Sequence, residues 1–236
     1  MSSWKRLTPS RTKIIMYGGA DQARVNIPIL HDLGCEVLAV VDDTLNFSCP
    51  FDGVPLLSGF DELCAWMVGK DISDYGFVIA IGNPYGHIRC ILDSKMKSLG
   101  IESISFADPS SSIRSDVSLA GGLQIMPHAV IHNNVKTNKQ CIINTMSLVE
   151  HDCVLEQGVE VGPGAVLCGR VHVGENSWVG AGATVRPRVK IGKNSIVGAG
   201  ATVVKDVPDG VTVVGTPAII LPHSVPKSQI FYNKKS

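Results

Sequence analysis

The sequence predicts two unlike halves, an α/β domain with a parallel sheet and then a parallel β-helix. Apolar runs alternate with helical patterns up to residue 107, and from Ile113 onward an aliphatic residue recurs at every sixth position. Glycine, 24 of the 236 residues, crowds toward the second half, as small repeated turns require.

The front half resolves into elements in order. "KIIMY" (13–17) is a buried-type strand that stops at Gly18 and Gly19. Ala23, Ile27, Leu30 and Leu33 then share one helical face, and Gly34 suits the C-terminal cap. "EVLAVVDD" (36–43) is a second strand, ending in Asp42 and Asp43. "FDELCAWMV" (60–68) reads as a helix, "GFVIAIGN" (76–83) as a third strand, "HIRCILDSKMKSL" (87–99) as another helix, and "IESISFA" (101–107) as a last strand. Alternation with short connections implies parallel strands with helices on both faces. Open sheets of that kind bind ligands beyond the C-terminal ends of their strands. Those ends carry the loop of Gly19, Ala20, Asp21 and Gln22, then Asp42 and Asp43, then Gly82 and Asn83. The loop "GGADQA" is not a G-x-G-x-x-G fingerprint, which argues against a nicotinamide cofactor. Asp42 suits a ribose or a base edge, and equally a carboxylate that caps its own turn.

The second half obeys another rule. Sixteen consecutive hexads open at 113, 119, 125 and so on to 203, and every opener is Ile, Leu or Val except Thr137. Four residues after each opener stands a compact residue such as Ala165, Ser177, Ala183, Ser195 or Ala201. No helix has a period of six. Three hexads close one triangular coil, and coils stack at ~4.8 Å, so about five coils form a prism ~25 Å tall. No coil is stable alone, because each buries its apolar openers only against its neighbours. The expected division is a tail (1–12), the α/β domain (13–108), the β-helix (109–210) and a closing loop and tail (211–236). The end of that tail, "SVPKSQIFYNKKS", reads as a solvated end.

A period of eighteen decides which residues meet. Glu150, His151 and Asp152 fall between the interior positions Val149 and Cys153, so they decorate a corner of the prism. His151 stacks with Gly169, whose missing side chain leaves room beside the imidazole, and with Pro187. Thr145, Pro163, Ala181 and Ala199 form another column, a smooth wall for an extended molecule. An exposed histidine is ordinarily only a polar surface residue. Carboxylates on both sides favour a second role, since an acidic neighbour holds an imidazole in one tautomer, ready to accept a proton. Cys153 points inward and is a poor nucleophile; Cys168 faces outward.

Composition narrows the remaining classes. Twenty-one basic and twenty-one acidic residues give no net charge, which argues against a nucleic acid or an anionic membrane as partner. No apolar run reaches the ~18 residues of a membrane span, and the polar N-terminus lacks a signal peptide's core. Seven cysteines without a CxxC pair suit free thiols in the cytoplasm. No metal is expected, because His128, His132 and His172 are poorly spaced for a triad.

"VGAGATV" (179–185) and "IVGAGATVVKDVPDGVTVVGTPA" (196–218) resemble the repeats of hexapeptide acyltransferases. "INTMSLVEHDCVLEQGVEVGPGAVLCGRV" (143–171), placed behind an α/β domain, is similar to a narrower family. These are the sialic acid O-acetyltransferase relatives that include nucleotide-amino-sugar N-acetyltransferases, and the likeness runs from Lys13 to Ala218. The resemblance implies a Rossmann-like front domain, a left-handed β-helix, and a homotrimer with active sites between subunits. It implies acetyl-CoA along the prism and a nucleotide-linked amino sugar held partly by the front domain. His151 then matches the general base and Asp152 its support. Asn144 matches a residue near the acceptor amine, while Gly169, Ala181 and Ala199 match backbone contacts to acetyl-CoA.

The chain departs from the family at two places. "YGGADQAR" (17–24) replaces a Gly-His type of loop that meets the nucleotide sugar, and Glu160 replaces a histidine beside the cofactor. Glu160 is therefore expected among the acetyl-CoA contacts. The reading favoured is N-acetylation of a nucleotide-linked 4-amino-4,6-dideoxyhexose destined for a surface polysaccharide. The alternatives are O-acetylation of a sialic-acid-like sugar and a non-catalytic β-helix scaffold.

Overall fold

A computed structural model of the chain describes residues 7–44, 49 and 51–222. Residues 1–6 and the tail expected to be a solvated end lie outside the described residues.

The front domain is a five-stranded parallel sheet. Its elements are β1 (Lys13–Tyr17), α1 (Asp21–Asp32), β2 (Glu36–Asp42), β3 (Leu56–Ser58), α2 (Gly59–Met67), β4 (Tyr75–Ile79), α3 (Gly86–Ser98) and β5 (Glu102–Ser103). The strand order is β3-β2-β1-β4-β5, so the chain reverses direction across the sheet beside β1. Side chains alternate across β1. Ile15 and Tyr17 pack with Leu63 and Met67 of α2 and Leu92 and Met96 of α3, while Ile14 and Met16 pack with Ala23, Ile29 and Leu30 of α1. Both faces of the sheet are thereby covered, as parallel strands require.

The last strand expected in this domain is divided between the two halves. Glu102–Ser103 pairs with Gly76 and Phe77 of β4, whereas Phe106–Ala107 pairs with Gln124 and Ile125. Phe106–Ala107 is thus the first rung of the β-helix, ahead of the junction expected at 108–109. Phe106 and Met126 complete the α1-side core, so the two halves share buried apolar surface. The short strand β3 was not anticipated in the sequence.

The second half is a left-handed parallel β-helix with three faces, of eight, six and five strands. Each rung is two residues long and pairs with the rung eighteen residues on; Ile142–Ile143 pairs with Glu160–Val161, and Leu148–Val149 with Val166–Leu167. The aliphatic openers form one continuous core, with Leu119 partly buried at its margin. The compact residues Ala165, Ser177, Ala183, Ser195 and Ala201 are buried too, because each turns a corner where little space remains. From Gly122 to Gly200 the fourth residue of each hexad takes a left-handed conformation, filled by Gly164, Gly182 and Gly200 on one corner and by Asn134, Asp152, Arg170 and Arg188 on another. Beyond Val203 the register tightens. Thr212 and Val213 pair with Ile196 and Val197, and an antiparallel strand, Ile219–Ile220, closes the end. Strands therefore continue past residue 210, where the β-helix was expected to stop.

Candidate active site

The corner that carries Glu150, His151 and Asp152 is held rung to rung. Arg170 N donates to the His151 carbonyl at 2.9 Å, and Asp152 N to that of Asn133 at 3.0 Å. Asp152 occupies the left-handed position of its turn (φ 60°), which short polar side chains tolerate. That geometry turns its carboxylate back along the turn, to 2.8 Å from His151 Nδ1. Asn134, at the same place one rung earlier, donates to the other carboxylate oxygen at 3.2 Å, and Arg170 lies 3.5 Å away one rung later. The hydrogen bond with His151, then that from Asn134, hold the Asp152 carboxyl below the usual carboxylate range. An ionised carboxylate can only accept, so Nδ1 is the donor of this pair, and in the neutral ring Nε2 keeps its lone pair. The ring is 50 % exposed. Its other side lies on Gly169, where a Cβ would overlap Nε2.

Ala181 and Ala199 are exposed, in one column with Thr145 and Pro163. This column and Asn144 belong to the corner before the His151 corner, with one prism face between them. The structure thus joins His151, Asp152 and Gly169 on one corner and sets Asn144, Ala181 and Ala199 on the one before it. Neither neighbouring cysteine is a nucleophile. Cys153 is buried with its thiol on the Cys168 carbonyl at 3.2 Å, and burial pushes it up to about 11. Burial raises the Cys168 thiol as well.

A cleft of about 650 Å³ opens at the C-terminal ends of β1, β2 and β4. Ala20, Asp21, Gln22, Asp42, Asp43, Gly82 and Asn83 line it, joined by Tyr17, Thr44 and Tyr85. Gly19 borders it through its amide, which donates to Asp42 at 2.8 Å, while the other Asp42 oxygen accepts from Thr44 N at 2.9 Å. Asp42 therefore caps its own turns, and Asp43, which accepts from the Tyr17 hydroxyl at 2.9 Å, is the second acidic group on that wall. Gln22 donates to Asn26 and to Gln124 of the β-helix.

Glu160 lies outside the exposed column of Ala181 and Ala199. It is 2 % exposed, accepts from Asn83 Nδ2 at 2.9 Å, and lies 3.6 Å from Arg89 Nη1. Its strand faces the front domain and its carboxylate is taken up there. Arg89, fully buried, donates to the carbonyls of Ile81 and Gly82 on the cleft and to those of Gln140 and Gly158 on the β-helix. It ties the cleft wall to the prism. The sequence reading missed Arg89, although a signal was present. Arg89, Leu92, Asp93 and Met96 share the buried face of α3, so two charges stand where an amphipathic helix should be apolar. Among the described residues, no group of three or more His, Cys, Asp or Glu could hold a metal, and no helix is long and apolar enough to cross a membrane.

Comparison with known proteins places these features. Residues 170–205 match the bacterial transferase hexapeptide (six repeats) family. The chain is 30% identical over 172 residues to the GDP-perosamine N-acetyltransferase of Escherichia coli O157:H7, covering 70% of this chain and 73% of that protein. It is similar to the structure of PerB from Caulobacter crescentus in complex with CoA and GDP-perosamine, with 32% identity, a TM-score of 0.81, and 91% of this chain and 100% of that one covered. It also resembles the acetyltransferase domain of PglB from Neisseria gonorrhoeae FA1090 in complex with acetyl coenzyme A, with 28% identity, a TM-score of 0.79, and 90% and 100% covered.

Proposed function

Because this chain belongs to the hexapeptide-repeat, acetyl-CoA-dependent sugar N-acetyltransferases, we propose that its acceptor is a GDP-linked 4-amino-4,6-dideoxyhexose of the GDP-perosamine kind and that His151 is the general base. Membership of an enzyme family sets aside the scaffold alternative. GDP-perosamine is the ligand in the similar PerB structure, and the cleft at the strand ends suits a nucleotide there.

The observation that carries the reading is the His151–Asp152 pair, 2.8 Å long, on a corner where Gly169 leaves Nε2 clear. The sugar nitrogen forms its bond to the acetyl carbonyl carbon, and His151 Nε2 takes the proton which that nitrogen sheds. The C–S bond then breaks, and the proton returns to the departing CoA sulfur. Asp152 holds the ring and balances the imidazolium. A backbone N–H of the neighbouring rung can support the oxyanion. No acyl-enzyme forms. Ala181 and Ala199 are the wall for pantetheine, and Asn144 stands near the acceptor.

The base and the donor wall occupy different corners of one prism, so the reading includes a homotrimer with each site completed by a neighbour. It also places the enzyme in the cytoplasm, where its seven free thiols suit the redox state.

Thiol release from acetyl-CoA, measured with GDP-, UDP- and dTDP-linked amino sugars, tests the proposal, together with chain mass in solution. Turnover with the GDP sugar, reduced about 10²- to 10⁴-fold in His151→Ala, is the expected result. Turnover only with a sialic-acid-type alcohol would replace it with O-acetylation, and an unchanged rate in His151→Ala would remove the base.

A further inference from the structure

An amide of the front domain meets the Glu160 carboxylate of the β-helix. Asn83, just past β4, donates through Nδ2 to Oε1 at 2.9 Å. Burial leaves the Glu160 carboxyl raised, while Arg89 and the asparagines beside it pull the other way. Oε2 is buried without a hydrogen-bond partner and faces Arg89 Nη1 at 3.6 Å, so a proton placed there would have no acceptor. As the counter-ion of the buried Arg89 guanidinium, Glu160 is a carboxylate, which only accepts. Asn83 must then turn its N–H toward Glu160 and its oxygen away. No described group donates to the Asn83 oxygen, and Asn83 lines the cleft.

We infer that Glu160 is a positioning residue for acceptor selection: it locks the Asn83 amide so that the carbonyl oxygen faces the cleft and accepts from a hydroxyl of the nucleotide-linked sugar. This rests on the cleft being the nucleotide-sugar site. Asn83 and Tyr85 stand at the β-helix end of that cleft, whereas Asp42, Asp43 and Thr44 form the wall at the end of β2. The sugar, which must reach the prism to be acetylated, therefore lies at the Asn83 end and the base beyond it. A carbonyl oxygen backed by a buried carboxylate repels phosphate and attracts a donor. A glutamine at 160 would lift the lock, because its amide can donate to the Asn83 oxygen and let that amide turn over.

The test uses the full chain and steady-state kinetics with GDP-linked amino sugar, acetyl-CoA and a panel of single-deoxy GDP sugars. Asn83→Ala should raise KM for the nucleotide sugar about tenfold, with kcat and the KM for acetyl-CoA within about twofold. It should also stop discriminating against one member of the deoxy panel. Glu160→Gln should raise the same KM, and the double variant should be no worse than Asn83→Ala, since both act through one hydrogen bond. Additive losses, a raised KM for acetyl-CoA in Glu160→Gln, or an unchanged Asn83→Ala would overturn the inference. If Glu160→Gln does not fold, with Arg89 left unpaired, Asn83→Ala keeps that pair intact and decides the matter with the deoxy panel. A wild-type chain that turns over no nucleotide-linked amino sugar overturns the reading of the cleft and this inference together; turnover with indifferent variants overturns the inference alone.

Discussion

Gly169 shows how little material separates a working corner from a blocked one. Its φ is not in the left-handed range, so alanine suits the backbone, but the added Cβ would overlap the His151 ring. The ring can swing away into solvent. Gly169→Ala should therefore leave Tm within a degree or two while lowering kcat about 10²-fold, as a small misplacement of a reacting group does; equal activity at equal Tm would show that the ring does not need this place. The neighbouring carboxylate gives a pH prediction. The folded Asp152 carboxyl is held below its ordinary value of 3.8. The stability it contributes is complete above that value and is lost as pH falls through the lower, folded one. The Tm gap between wild type and Asp152→Asn should persist down to about pH 4 and close below it. A gap that closes near neutrality would mean that another group controls it. His151, Asp152 and Gly169 were legible because the eighteen-residue stack follows from the hexads alone. The place of Glu160 against Asn83 and Arg89 was not legible, because stacking reports neighbours along the prism and nothing of what packs against its outside.

At the scale of the element, Thr137 is the exception among the hexad openers. It pairs with Leu119 and Leu155 on adjoining rungs, is 6 % exposed, and its hydroxyl is buried with no partner. Thr137→Val keeps the shape and removes the orphaned group, so unfolding should shift toward higher stability by about 1–2 kcal/mol. A destabilised variant would show that the hydroxyl has a partner in solution, such as a bound water. The rungs themselves were readable because only an inward residue at fixed spacing is needed, whatever stands outside. β3 was not, since three residues, Leu56–Ser58, carry no period, and their strand state comes from pairing with Val40, Val41 and Asp42. The stretch 101–107 deceived for a related reason. One apolar run serves two sheets, with Ile104 N donating to Phe77 of the first and Phe106 N to Leu123 of the second.

For the whole molecule the decisive group is Arg89. A fully buried guanidinium is costly unless its donors and its charge are matched, and here four carbonyls take four of its five N–H groups and Glu160 stands 3.6 Å away as counter-charge. Arg89→Met keeps the stem, strands the Glu160 carboxylate and frees carbonyls on both halves. A loss of about 3–5 kcal/mol is expected, and adding Glu160→Gln should recover part of it, as chemical denaturation of the single and double variants would measure. Losses that simply add would show that the two residues do not act as a pair. With the shared core around Phe106 and Met126, this contact ties the cleft to the prism.

The aliphatic period determined the β-helix, the corner that carries His151 and Asp152, and the Gly169 vacancy beside the ring, because each depends only on spacing along one chain. The alternation of strands and helices likewise determined a parallel sheet and the side on which its cleft opens. Only the tertiary structure decided that Arg89 runs through the boundary, that Glu160 faces Asn83 and Asn144, and that Phe106 leaves the sheet for the prism. Those outcomes depend on how the two halves lie against each other, and a buried ion pair between distant segments has no period by which a sequence could announce it.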